Sequence, residues 1–501
     1  MASPAPKLES EEPESSGGFV KALTLTDATM LVAGSMIGSG IFLVSADIAR
    51  SVGSPLWLML AWVAAGVITM LGALSYGELA AMYPRAGGQY VFLRESMGPL
   101  MGFLYGWTLF MVIQTGTIAA VAVAFGRFLG VLWPAITPDR YSWFPQFNFT
   151  TPGGGPVEFG LSPQRIIALI TIWILTWINL RGVREGKFVQ TTLTLVKTGA
   201  LLLLIALGLT VGRNAVAVSS NFGAGAFSGG VTITSAFMIA FGASLVGSLF
   251  ASDAWNNVTF AAAEVRNPQR NLPLALLLGT GLVTVLYLLA NVAYLNVLPL
   301  HGVKDASTVL ARGIQYATQD RVGSAAAEMI FGPIGGSLMA AAILVSTFGC
   351  NNGLILSGAR VYYAMARDGL FFQGAGRLNK NRVPAVGLIA QSIWTSVLCL
   401  TGTYGQLLNY VIFAALIFYV FTTIGLFILR SKLPDKERPY RALGYPVLPA
   451  LYIVLASVVA VVLLISDTTR AQALSGLVIV AIGIPVYFMW RKTEPMTDSK
   501  P

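Results

Sequence analysis

The sequence predicts an all-α polytopic membrane protein of twelve helices. Three observations predict it. First, 55% of the 501 residues are hydrophobic and 11% charged, whereas about a quarter are charged in soluble chains. Second, apolar runs long enough to cross a bilayer recur along the chain, and helices are the spanning structure that such runs can form. Third, the first and sixth runs are each interrupted by residues that break helices. A five-span unit followed by another places these breaks at equivalent positions. Because five is odd, the second unit starts from the opposite side, giving a five-plus-five inverted repeat with two additional C-terminal helices. The symmetry rests on hydropathy and break position, since the halves show no convincing residue identity.

The spans read as 26–49, 55–83, 98–132, 163–181, 187–212, 232–262, 273–299, 326–364, 384–402, 405–430, 446–466 and 472–490. The first repeat is 26–212 and the second 232–430; 446–490 holds spans eleven and twelve. Residues 1–25 form a disordered cytoplasmic tail, acidic and polar up to about Gly18, and 491–501 a second cytoplasmic tail. An even number of spans puts both termini on one side. The positive-inside rule makes that side cytoplasmic in the cell membrane, because 22 of the 32 Lys and Arg fall in the loops and tails so assigned and 8 in the opposite ones. The net charge of +10 is thereby explained without nucleic acid. The polar loop 134–163 and the segment from His301 to Arg321, which has room for a short amphipathic helix, are extracellular in this reading. Asn148-Phe-Thr150 matches a glycosylation pattern that chance also produces.

Span one contains Gly34-Ser-Met-Ile-Gly-Ser-Gly-Ile-Phe42. Each glycine costs a helix about 1 kcal/mol relative to alanine. A stop and restart at Gly38-Ser39-Gly40 frees N–H groups on one side and carbonyls on the other. Such backbone survives at membrane depth where it is buried in protein or lines a wet cavity. The N–H end attracts an anion and the carbonyl end a cation, so a zwitterion satisfies both. Close helix packing through Gly34 and Gly38 is the competing reading. Span six carries Ser252-Asp-Ala-Trp-Asn-Asn257, whose short polar side chains favour caps and breaks near Ala251 to Ala254. The competing reading there is a polar network inside an intact helix.

Lys197 lies deep in span five, where an unpaired charge costs at least about 2.5–3.5 kcal/mol. It faces a partner or cavity, or it snorkels to the surface near Lys187. Gln114 and Thr115 of span three, and Asn409, Tyr410 and Phe413 of span ten, either approach a pocket or pack between helices. Glu78 and Glu264 near the inner ends form a gate of ion pairs or plain surface pairs, and Arg127 reaches the outer interface. Cys350 and Cys399 fall in apolar runs and read as small hydrophobes. A single His301 leaves no His-based metal cluster, and no Walker A or dinucleotide fingerprint is present, so no cofactor is expected. No nucleophile–base constellation points to an enzyme.

Taken with Phe250-Ala-Ser-Asp-Ala-Trp-Asn256, Glu264-Val-Arg-Asn-Pro-Gln-Arg-Asn-Leu-Pro273, Tyr83-Pro-Arg-Ala-Gly-Gly-Gln-Tyr90, Arg360-Val-Tyr-Tyr-Ala-Met-Ala-Arg-Asp-Gly369 and Arg438-Pro-Tyr440, the span-one motif resembles the L-type amino acid transporter family of the amino acid–polyamine–organocation superfamily. The matches cover nearly the whole membrane domain in order. The resemblance implies the LeuT-like fold, with a substrate held by spans one and six. The substrate carboxylate meets N–H groups around Ser39 and Gly40 and the Ser39 hydroxyl. The amine meets carbonyls of Met36, Phe250 and Asp253, in a site that includes Ala251. Phe250 serves as an aromatic gate. Lys197 replaces a sodium ion, bridging span one to span eight near Ser346 or Cys350. Asp253, glycine in many relatives, caps the break or meets the amine, or it selects a cationic side chain.

Animal relatives are disulfide-linked to a heavy chain through a cysteine between spans three and four. That loop has no cysteine here, so no such partner is expected and a stand-alone, monomeric member is implied. The expected function is sodium-independent amino acid exchange or facilitation by alternating access, with neutral substrates favoured. A proton-coupled or cationic amino acid or polyamine carrier, and a non-transporting sensor, remain open.

Overall fold

The computed structural model describes residues 19–150, 156–401 and 404–490. Among the described residues, ten helices are long and apolar enough to cross a membrane, and the shorter apolar helices Ser235–Ala251 and Ala385–Thr401 complete twelve spans. Span one comprises Leu25–Met36 and Gly40–Val52. Spans two to five are Pro55–Met82, Pro99–Leu132, Pro163–Arg181 and Val183–Leu209. Span six is Ser235–Ala251 followed, after a gap, by the single turn Asn257–Phe260. Spans seven to twelve are Pro268–Val297, Pro333–Arg367, Ala385–Thr401, Tyr404–Lys432, Val447–Ile465 and Arg470–Trp490. Five of these helices open on proline, whose missing N–H and fixed φ suit the first turn.

Equivalent helices of the two units pair: span two lies along span seven, and span three along span eight. The second half of span one packs on the first half of span six, while its first half packs on span seven and on Asn257–Phe260. Span three carries a π-helical turn at Leu109–Ile113, placed between two regular segments.

Several expected boundaries shift. The helix expected to start span eight near 326 is a separate one, Val322–Phe331, ended by Gly332 at φ 73°. Only Gly adopts that conformation without a Cβ penalty. Ala215–Phe222 is a helix that hydropathy did not reveal, capped by the Asn214 side chain. The loop 134–163 contains a hairpin, Phe147–Thr150 with Pro156–Phe159, and Asn148 sits in its first strand. The segment from His301 to Arg321 holds two short helical turns, Val309–Arg312 and the 3-10 turn Thr318–Asp320. Of the tail expected to be disordered, residues 1–18 lie outside the described residues. Phe19 to Leu23, however, are ordered: Phe19 packs edge-on against Tyr363 at 5.0 Å, and Leu23 pairs with Val265.

The described ends share one face, since Phe19 meets Tyr363 of span eight and Trp490 meets Phe371 and Phe372 just beyond it. This terminal face is tied shut. Leu23 N donates to Glu264 O at 2.9 Å, and Arg266 N to Leu23 O at 2.8 Å. Glu264 and Arg360 form a fully buried ion pair at 3.0 Å. Arg94 and Tyr90 both bind Asp368. Glu78 accepts from Arg430 and from the N–H of Ala442, each at 2.6 Å. The Glu78–Arg430 pair links span two to span ten, and the Glu264–Arg360 pair ties span eight to the segment after span six, so neither is a plain surface pair. Losing one partner of a buried pair typically costs about 3–5 kcal/mol. At the far face, Arg50 binds Asp320 at 2.7 Å and the Gln315 carbonyl at 2.6 Å.

Candidate functional site

The two breaks meet in the middle of the bundle. The first helix of span one ends at Met36, with Ile37 N still donating to Ala33 O, and the chain restarts at Gly40. Among the described residues, the N–H groups of Gly38, Ser39, Gly40 and Ile41 meet no acceptor. Gly40 lies against the end of span six: a Cβ there would stand 2.6 Å from the Ala251 Cβ and 2.8 Å from its Cα. No larger residue fits without separating the two helices.

Lys197 does not snorkel. Its side chain is buried, and its ammonium donates to Gly34 O, to Ile37 O at 2.7 Å and to Ser346 O at 3.4 Å. Three donors thus meet three carbonyls, two of them at the negative end of a helix, a setting that stabilises a cation without a carboxylate. The Ser346 hydroxyl adds a bond to Ile37 O at 3.1 Å, and the Cys350 thiol donates to Ser35 O at 2.9 Å. The expected bridge from span five through span one to span eight is therefore present.

Span six stops at Ala251 and resumes at Asn257, as its polar tract predicts. Ala254 takes φ 63°, a left-handed value costing a non-glycine residue of order 1–3 kcal/mol. The buried Asp253 carboxylate accepts from the Tyr419 hydroxyl at 2.6 Å. The Asn256 amide donates to Gln89 Oε1 at 2.8 Å, and Gln89 passes a bond to Thr422 at 3.0 Å. Cavities of about 20 and 10 Å³ flank Asp253. The larger has room for about one water.

A far-face vestibule of about 680 Å³, lined in part by Asp47, Arg50, Arg127 and Asn409, ends on Tyr404. The Tyr404 hydroxyl lies 3.1 Å from Ser39 Oγ, either atom being able to donate. Its ring meets Phe250 edge-on at 6.0 Å, and the Arg127 guanidinium stands 5.5 Å from the ring centre. Arg127 also donates to Gln319 O at 3.3 Å in the segment 301–321, so it sits at the far face and spans the vestibule mouth to the Tyr404 ring. Gln114 ties span three to span eight through Leu354 O at 2.7 Å, and Thr115 bonds within its own helix. Phe413 packs beside Gly476 of span twelve, near the Tyr410 carbonyl.

Sequence reasoning missed three tyrosines: Tyr287, Tyr404 and Tyr419. Tyr287 of span seven donates its hydroxyl to Met36 O at 2.9 Å and Ala251 O at 3.1 Å. A buried tyrosine needs a partner for its hydroxyl, but that signal does not say where the partner lies.

The amino acid permease family model matches residues 23–489. The chain belongs to the amino acid permease family. It is 31% identical to the serine/threonine exchanger SteT of Bacillus subtilis, over 95% of this chain and 98% of the relative. It is 28% identical to b(0,+)-type amino acid transporter 1 of Rattus norvegicus, over 96% and 90%. It is 30% identical to large neutral amino acids transporter small subunit 2 of Homo sapiens, over 96% and 83%. Within the permease family, motif and geometry agree on the same two interrupted spans.

Proposed function

We propose that the chain is a sodium-independent amino acid transporter working by alternating access, as an exchanger or facilitator, with neutral amino acids favoured. One observation carries this: unpaired N–H groups at one break lie beside carbonyl ends at both. The substrate carboxylate is taken by the N–H groups around Ser39 and Gly40, and its ammonium by carbonyls of the cluster formed by Met36, Phe250, Ala251 and Asp253. Met36 O and Phe250 O already accept from Tyr287 and from Asp253 N, but each carbonyl keeps a second lone pair. Tyr404 and Phe250 together close the vestibule above the site, so entry requires the Ser39–Tyr404 bond to open. Lys197 supports sodium independence, because its ammonium supplies a fixed charge at the helix end where a cation would sit.

Spans one and six rock against spans three, four, eight and nine. The terminal face is cytoplasmic, on the loop-charge asymmetry. The chain acts without a disulfide-linked heavy chain, a reading supported by the burial of both cysteines. The relatives' names, an exchanger among them, favour exchange.

Purified protein in proteoliposomes is expected to take up labelled amino acids without sodium, faster when unlabelled amino acid is inside. Absence of uptake, or a strict sodium requirement, overturns the reading. Asp253 favours a second reading. Among the described residues no Lys or Arg pairs with this buried carboxylate, so a cationic amino acid or polyamine, or a proton, is the alternative cargo. Stronger competition by decarboxylated amines than by amino acids selects it.

A further inference from the structure

The terminal face holds a cavity of about 440 Å³ that lies apart from the two breaks. One wall is Phe19 and Lys21, ahead of span one, with residues that follow span six. The other is Arg85 and Arg94, between spans two and three, and Arg367 and Asp368 at the end of span eight. Four cations thus face one carboxylate. That carboxylate is already engaged, since Asp368 binds Arg94 and the Tyr90 hydroxyl. Arg85 is exposed, and neither it nor Lys21 enters an ion pair among the described residues. A cavity with this surplus of positive charge suits an anionic occupant.

The chain carries such an occupant beside the cavity. Glu9, Glu11, Glu12 and Glu14 precede Phe19, against the single Lys7. Glu14 is five residues from Phe19, about 17 Å of extended chain. Ser15-Ser-Gly-Gly18 between them is a linker composition that lets a chain turn back. Phe19 itself is moored edge-on to Tyr363, which also lines the cavity. A tether this short holds the carboxylates near the cations at about millimolar effective concentration, so pairs that are weak singly suffice together.

We infer that the acidic segment from Glu9 to Glu14 docks in this cavity and holds the terminal face closed. The closing role rests on the transport reading above; the docking does not. A segment anchored at Phe19 and paired with the cations opposite joins the wall ahead of span one to the wall at span eight. Opening of this face then has to break those pairs.

Both native cysteines are buried, so an engineered pair reports docking in the full chain. Ala86 lines the cavity, and Ser431 is exposed on the same face outside it. Under mild oxidation, Ser10→Cys is expected to form a disulfide with Ala86→Cys at least about fivefold faster than with Ser431→Cys. Glu9→Gln, Glu11→Gln, Glu12→Gln and Glu14→Gln together should slow the first reaction about fivefold. Neighbouring carboxylates suppress a thiolate, so removing them would by itself speed the reaction. Equal rates at the two positions, as expected if a lipid headgroup fills the cavity instead, overturn the docking. A rate indifferent to the four carboxylates overturns it too. In proteoliposomes the quadruple variant, whose membrane-spanning sequence is untouched, is expected to take up labelled amino acid about three- to tenfold faster, with no further rise when Arg85→Gln is added. Uptake unchanged in the quadruple variant overturns the closing role. Wild-type protein that carries no amino acid overturns the transport reading instead, and the disulfide rates still decide the docking.

Discussion

The two breaks solve one problem with opposite chemistry. Span one breaks over Ile37, Gly38 and Ser39 and is flanked by glycine, so its main chain is bare and other elements must satisfy it. Lys197, Ser346, Cys350 and Tyr287 do so on the carbonyl side, and the N–H side stays open. Span six breaks over Ser252 to Asn256 without a glycine. It brings its own polar side chains, Asp253 and Asn256, and accepts a strained Ala254. A glycine break presents backbone, which every amino acid matches with its own α-groups. A side-chain break presents a particular carboxylate. Under the proposed function, the first break would serve general recognition and the second selection.

Substitutions can separate these roles. The largest effect is expected for Gly40→Val, whose Cβ meets the Ala251 backbone; uptake falls at least about 100-fold whatever the amino acid offered. Substrate-dependent loss would break the comparison. Next comes Lys197→Met, which strips the ammonium from Gly34 O and Ile37 O. Chemical unfolding in detergent should show a loss of about 2–4 kcal/mol, and unaltered stability would mean those carbonyls find other donors. Asp253→Asn keeps a partner for Tyr419 but removes the charge. Uptake of a neutral amino acid is expected to stay within about threefold, while inhibition by L-arginine weakens about tenfold; equal effects on both would remove the assignment of selectivity to span six. The smallest effect is expected for Ala254→Gly, which relieves a left-handed φ that L side chains rarely adopt. Stability should rise by up to about 1 kcal/mol, and a fall would show that Ala254 is not strained.

The interrupted spans were legible because a break is a local property. Three glycines in seven residues, or Ser, Asp and Asn in an apolar run, weaken a helix wherever it is placed. Lys197 was legible in part: its depth leaves a choice between a buried partner and the surface, and the observed neighbours, span one and Ser346, are those that the family resemblance implies. Helix ends were read less well at Gly332 and around Ala215–Phe222, where capping and a left-handed glycine outweigh hydropathy. For Phe413 the sequence left pocket and packing both open, and its contact with Gly476 of span twelve is the packing alternative, which depends on how distant helices lie side by side.

By itself the sequence determined the apolar crossings, and it narrowed two candidate breaks and a deep lysine to a pair of readings each. Only the tertiary structure decided which hydroxyls close the site. Tyr404 reaches Ser39 across 365 positions, Tyr287 reaches Met36 across 251, and Tyr419 reaches Asp253 across 166. Helix breaking depends on a residue and its immediate neighbours. The partner of a buried hydroxyl depends on how helices far apart in the chain come to lie side by side, and no local pattern encodes that.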